Sequence, residues 1–171
     1  MCPYNSKLDV MRALLLIALA VVLTGCASRS QRPPISSGAS GEAAVVASEV
    51  LGRLDSAWNV ADGAQFAAEF SEDADVVNIF GAHFSGRSNL AKRMQSIFDT
   101  IFKGSTHQSR NLEMARYLSE DTILVLSSSV VAVPGGPLAP QTRNRQTFIL
   151  TKNGARWYIR HWHNTTIRDQ Q

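Results

Sequence analysis

Cysteine is almost absent from this chain of 171 residues: it occurs only at Cys2 and Cys26, so no disulfide framework can be read. Charge of one sign is also scarce. Seventeen Lys and Arg stand against fourteen Asp and Glu, a formal +3 with no basic run, so no nucleic-acid partner is expected. Neither a phosphate-binding Gly-rich loop, nor a dinucleotide fingerprint, nor a G-x-S-x-G elbow occurs, so no cofactor is expected. Internal repeats are missing too. The 44% of hydrophobic residues is an ordinary globular share and excludes a disordered or many-span chain.

The one long apolar run is Ala13–Leu23, eleven residues behind Lys7 and Arg12. A spanning helix needs about 20 apolar residues, so this run suits the h-region of a signal peptide, residues 1–25, instead. Met11 would serve as a start as well as Met1. The ending Leu23-Thr24-Gly25-Cys26 resembles the lipobox of bacterial lipoproteins. That resemblance implies cleavage before Cys26, acylation of its sulfur and amino group, and a cell-envelope protein held on a membrane by lipid. Ala27 after the cysteine points to the periplasmic face of the outer membrane. Processing would leave no free thiol, which excludes a cysteine nucleophile. Residues 26–41, rich in Ser, Gly, Gln and Pro, read as a flexible tether.

The remaining residues, 42–168, form one domain. Val46, Val50, Leu54, Ala57 and Trp58 recur at helical spacing and predict a helix over 42–60. Asp62 followed by Gln65 opens a short second helix whose buried face is Phe66, Ala67 and Phe70. A strand is expected at 75–80, a turn carrying His83, Phe84 and Arg87, and a third helix over 88–102. Strands follow at 109–118, 122–133, 143–151 and 156–165, with Asn153-Gly154 suiting a type I′ turn. Helices first and antiparallel strands afterwards give an α+β fold, a curved sheet wrapped around a helix layer.

The order Trp58-Asn59, Glu72-Asp73-Ala74-Asp75, Val77-Asn78, Gly81, Gly86-Arg87, Gly154-x-x-Trp157 and His163-Asn164-Thr165 resembles the nuclear transport factor 2-like superfamily. Within it the pattern is most similar to the SnoaL-like branch and its SgcJ/EcaC family. The resemblance implies a cone-shaped fold of bent sheet and three helices around one pocket for a small molecule, commonly dimeric through the sheet. Catalytic members use a pocket aspartate as base. Here no acid falls on a strand position that points inside; Asp75 is the nearest candidate and Glu113 the next.

Strand phase then sorts the lining. Trp157, Ile159, His161 and His163 share one face, expected to look inward, and so do Asn144, Gln146 and Phe148, with Arg143 and Arg145 outward. Asn78, His83 and Arg87 could join from the turn. His163 and His161 are the candidate acid/base groups, with Asn78 orienting a carbonyl or hydroxyl. Asn144, Gln146, Phe148, Trp157, His83 and Arg87 are the candidate ligand contacts. His161-x-His163 supplies only two metal ligands, to be completed by His83, His107 or a carboxylate, so no metal is expected. The stretch 161–166 also resembles the His-rich end of iota-type carbonic anhydrases, with threonines replacing serines. Ser127-Ser128-Ser129 reads as structural. A cofactor-free acid/base enzyme and a binding or assembly module without turnover both remain open.

Overall fold

The computed structural model describes residues 41–168; the leader, Cys26 and most of the tether lie outside the described residues. Three helices come early: α1 (Glu42–Asn59), α2 (Gly63–Ala67) and α3 (Arg87–Asp99). Six strands make one sheet: β1 (Phe70–Val77), β2 (His83–Ser85), β3 (Thr106–Ser119), β4 (Thr122–Ala132), β5 (Gln141–Asn153) and β6 (Arg156–Thr166). Their order across the sheet is β2-β1-β6-β5-β4-β3. Only the β1–β6 pairing is parallel; the others are antiparallel.

Local chemistry accounts for these elements. The apolar stripe of α1 buries Val50, Leu51, Leu54, Ala57 and Trp58. Asp62 caps α2 by accepting the Gln65 N–H at 2.9 Å, as its sequence signature predicts. Phe70 is fully buried but opens β1 instead of closing α2, so the strand begins earlier than its apolar run suggests and carries Glu72 and Asp73 at exposed positions. The β5–β6 turn also differs from expectation. Gly154 has φ +61° while neither Asn153 nor Ala155 is left-handed, which is the type II′ pattern and not type I′.

One side of the sheet packs on the helices. Along β5 the inward residues are Thr142, Asn144, Gln146, Phe148 and Leu150, all buried, and Arg143 and Arg145 are exposed, as strand phase predicts. The closed end of the interior is aromatic: Trp162 stacks on Phe148 and meets Phe66 and Phe70, with centroids 5.9 to 6.1 Å apart. Each such ring contributes about 1.5–3 kcal/mol when fully buried.

In β6 the expected phase fails. Leu150 pairs with Ile159, but the next residue, Ile149, pairs with His161, so Arg160 is an extra residue, a β-bulge. A bulge opposes two residues to one and exchanges the faces beyond it. Ile159 therefore points inward, and so do Trp162 and Asn164, while His161 and His163 point to the outer face. The bulged Arg160 is anchored by donating to the Asp73 carbonyl at 2.6 Å and to Asp75 Oδ2 at 3.2 Å.

Helices α2 and α3 meet at Gly63. Its N–H donates to Gln95 Oε1, and a Cβ there would lie 2.6 Å from Ala91 O and Gln95 N. Backbone on both sides leaves nothing flexible to yield. Gly63→Ala is therefore expected to lower the unfolding free energy by about 1–3 kcal/mol, measured by urea denaturation; an unchanged midpoint would contradict this packing.

Candidate functional site

A cavity opens between α3 and the inner face of the sheet. Its walls are apolar: Val76, Leu90, Met94, Ile97, Phe102 and Val131 among others. Phe80 and Ile101 stand exposed at its lining, and Arg93 lies beside them with its guanidinium 5.4 Å from the Phe84 ring. Mixed apolar walls with a few convergent polar groups suit an organic ligand.

The polar groups come from four elements. His107, near the start of β3, lines the cavity with its side chain only 3% exposed. Its Nδ1 lies 2.6 Å from Asp55 Oδ1. An ionised carboxylate only accepts, so Nδ1 carries the hydrogen, and Nε2 is the ring nitrogen left to take or give a proton. Asp55 also accepts the Ser109 N–H at 2.8 Å and the Ser109 hydroxyl at 3.0 Å. Three hydrogen bonds fix the carboxylate, and the carboxylate fixes the ring.

The backbone of His107 is held as firmly. Asn59 Nδ2 donates to its carbonyl at 3.1 Å, and its N–H donates to Asn59 Oδ1 at 2.8 Å. Trp58 lies against the imidazole, centroids 5.1 Å apart, and donates from Nε1 to Ser105 Oγ at 3.0 Å. Asp55, Trp58 and Asn59 fall within two turns of α1, so one helix end grips Ser105, His107 and Ser109.

The sheet supplies the rest. Asn144 is buried and lines the cavity, its Oδ1 accepting from Thr142 Oγ1 at 3.2 Å and Thr166 Oγ1 at 3.4 Å. Trp162 and Asn164 line it from β6, and Trp162 Nε1 and Asn164 Oδ1 are buried without a protein partner. Behind them Ser127, Ser129 and Gln146 carry buried polar atoms in the same condition. A buried polar group left unpaired costs about 1–3 kcal/mol, so a polar row inside a core is retained against a stability cost.

Of the residues singled out from the sequence, Asn78 and Asn144 line the cavity. Asn78 spends its Oδ1 on the turn, accepting from the N–H groups of Phe80 and Ala82 at 3.0 Å each. Gln146 points inward behind the lining, and Phe148 belongs to the packed core. The other assignments require correction. His163 is exposed on the outer face and His161 half-buried beside it, ring centroids 6.5 Å apart, because the bulge at Arg160 turned both away from the cavity. The resemblance of 161–166 to carbonic anhydrases thus places its imidazoles on the wrong side of the sheet. Trp157 lies before the bulge and packs on Tyr117, away from the cavity. Arg87 donates to the Phe70 carbonyl at 2.7 Å and covers Tyr158, outside the cavity.

His83 belongs to an outer cluster. Its Nε2 lies 2.9 Å from Asp75 Oδ1, to which Ser85 Oγ donates at 2.6 Å. The Ser85 hydroxyl, then His83 and Arg160, hold the Asp75 carboxyl down at about 2, while burial and the adjacent His163 lower His161 from the ordinary imidazole range. No three His, Cys, Asp or Glu side chains come together as a metal-ligand set among the described residues.

The residues that sequence reasoning missed are His107, named there only as a possible third metal ligand, its partner Asp55, and Trp162 and Asn164 as lining. Asp55 was legible in one respect. It stands four residues after Leu51 and three before Trp58, on the edge of the apolar stripe, where a carboxylate has no packing reason to be.

A curved sheet closed by three helices over one cavity defines a domain of the nuclear transport factor 2-like class. Its family is shown by sequence: the model of the SnoaL-like domain matches residues 47–167, and the chain belongs to the SnoaL-like family. A Nostoc punctiforme domain of unknown function with a cystatin-like fold is similar at 29% identity and a TM-score of 0.63, over 74% of this chain and 76% of that one. An uncharacterised Caulobacter vibrioides protein with a cystatin-like fold is similar at 25% identity and a TM-score of 0.67, covering 75% and 92%. A ketosteroid isomerase-like protein from Erwinia carotovora shares the fold at 17% identity and a TM-score of 0.62, over 76% of this chain and 100% of that one. No curated protein matches the chain in sequence.

The outer cluster yields a pH prediction. The folded Asp75 carboxyl titrates near 2, below its ordinary 3.8. A lowered carboxylate adds stability that is complete above the unfolded value and is lost as pH falls through the folded one. Asp75→Asn should therefore show less loss of thermal midpoint than the parent between those two values, and parallel acid limbs would refute the assignment.

Proposed function

We propose that the domain is an enzyme that moves protons on a small carbonyl compound without a cofactor. The carrying observation is the Asp55–His107 pair at 2.6 Å, whose imidazole lines an apolar cavity beside buried, unpaired polar groups of the sheet. In the reaction His107 Nε2 takes a proton from the carbon next to the carbonyl. The C–H electron pair moves into the developing enolate, and its oxygen is stabilised by hydrogen bonds from the cavity floor. Asp55 orients the ring and stabilises the imidazolium as it forms. The same proton, returned to another carbon, gives an isomer; given to a departing hydroxyl, it gives an elimination product and water. The ketosteroid isomerase-like neighbour shares only the fold, and the reading rests on the site.

The test needs no known substrate. Aromatic and alicyclic ketones incubated with the protein in D₂O report catalysis as exchange of the hydrogens next to the carbonyl, followed by NMR. Exchange with at least one ketone is expected. His107→Gln should lower its rate by about 10²–10⁴-fold while ligand affinity persists, and Asp55→Asn should slow it in the same sense. Ligands that bind without any exchange would make the domain a binding module instead.

We further propose that the domain is carried on a bacterial envelope membrane by lipid on Cys26. Two or three acyl chains would hold it firmly where one binds marginally. In a bacterial host, labelled palmitate should enter the full-length protein and not Cys26→Ala, which should move to the soluble fraction. Equal labelling of both would refute the anchor.

A further inference from the structure

The polarity of the cavity is arranged by depth. Toward the interior are Trp162, Asn144 and His107, and of these side chains only the imidazole is a Brønsted base. Trp162 is 5% exposed and its Nε1, a donor only, has no protein partner. Asn144 is 2% exposed, and with Oδ1 already accepting from two threonines its amide N–H groups are the part left to donate. Asn144 pairs with Thr166 and Trp162 with Phe148, so the two donors stand four residues apart along the sheet, and the amide N–H, on the polar row, is the one offered to an acceptor oxygen.

The other end of the lining differs. Arg93 is exposed and, like Arg87, Arg110 and Arg116, belongs to no ion pair among the described residues; of these four only Arg93 lines the cavity. No acid stands three or four residues from it along α3, where Asn89, Leu90, Ser96 and Ile97 occupy those places. Its guanidinium is held over Phe84, a lining residue, so the cation stays at the cavity instead of extending into solvent. Between the two ends the walls are Leu90, Met94, Ile97 and Phe102.

From this arrangement we infer that the substrate is a carboxylic acid with an apolar ring or chain between its carboxylate and a ketone. The ketone oxygen accepts from Asn144 Nδ2 in the cavity that His107 also lines, the hydrocarbon lies along α3, and the carboxylate pairs with Arg93. This rests on the proposed carbonyl chemistry and adds its substrate class. A guanidinium meets a carboxylate through two parallel hydrogen bonds, so the pairing also sets which end of the molecule enters first.

The experiment compares 4-acetylbenzoate with 4-acetylbenzamide, equal in shape and differing in charge, titrated into the full-length protein by calorimetry. The carboxylate is expected to bind about five- to tenfold more tightly, an advantage that shrinks as salt rises. In Arg93→Gln the two affinities should become equal, and in Arg93→Lys a partial preference should return. Asn144→Asp, which places an acceptor against the ketone, should weaken both probes together, with thermal unfolding confirming that each variant is folded. Equal binding of the two probes to the parent, a preference that survives Arg93→Gln, or no binding of either probe overturns the inference. Ketone exchange lost in His107→Gln can still stand in that event, so failure here is distinguishable from failure of the carbonyl chemistry.

Discussion

Everything the cavity can do depends on how the end of α1 holds the start of β3. Three side chains of α1 grip Ser105, His107 and Ser109: Trp58 holds the first, Asn59 and Asp55 the second, and Asp55 also the third. β3 is an edge strand, bonded on one side only to β4. An edge would ordinarily be free to fray or to pair with another chain. Here the helix supplies the missing partners over the few residues that carry the imidazole, and position is bought where the site requires it. Because the carboxylate that orients His107 comes from the helix and the ring from the sheet, the pair forms only when the two layers have docked.

The second determinant is the bulge at Arg160. Without it, β6 would present Trp157, Ile159, His161 and His163 to the helices, and the interior would hold two adjacent imidazoles. With it, the aromatic Trp162 completes the closed end against Phe148, and Asn164 faces the cavity. The bulge is fixed by ion pairs of Arg160 with Asp73 and Asp75 on β1, the strand that runs parallel to β6. Outer-face electrostatics thus decide an inner-face alternation.

Much of the fold could be read from the chain because its signals are periodic: the stripe of α1, the Asp62 cap, and the alternation of β5 each depend on residues close in sequence. The inward face of β5 followed directly, although of Asn144, Gln146 and Phe148 only Asn144 lines the cavity. Two kinds of information were missing. An inserted residue leaves no mark in composition, and only the opposed phases of Trp157 and Trp162, both large and aromatic, hint that one strand has two registers. The Asp55–His107 pair joins positions 52 residues apart. No local pattern states such a contact, and a search for acids restricted to strands passes over a helix carboxylate.

The distribution of titratable groups separates architecture from chemistry. On the outer face Asp75 gathers His83, Ser85 and Arg160, and this exposed network ties β2, β1 and β6 together. Burial and then the neighbouring His163 lower the pKa of His161 there, but the outer face encloses no site from water. The inner face carries one imidazole, and it meets a carboxylate, an indole and an apolar cavity at once. Burying that pair together with the unpaired Ser127, Ser129 and Gln146 opposes folding. The aromatic closed end, far from any of these groups in character, supplies the compensating burial. A sheet with polar rows at one end of its inner face and apolar, largely aromatic rows at the other can carry both because the three neighbouring strands β4, β5 and β6 change from one to the other along their length: Ser127 to Val125, Gln146 to Phe148, and Asn164 to Trp162.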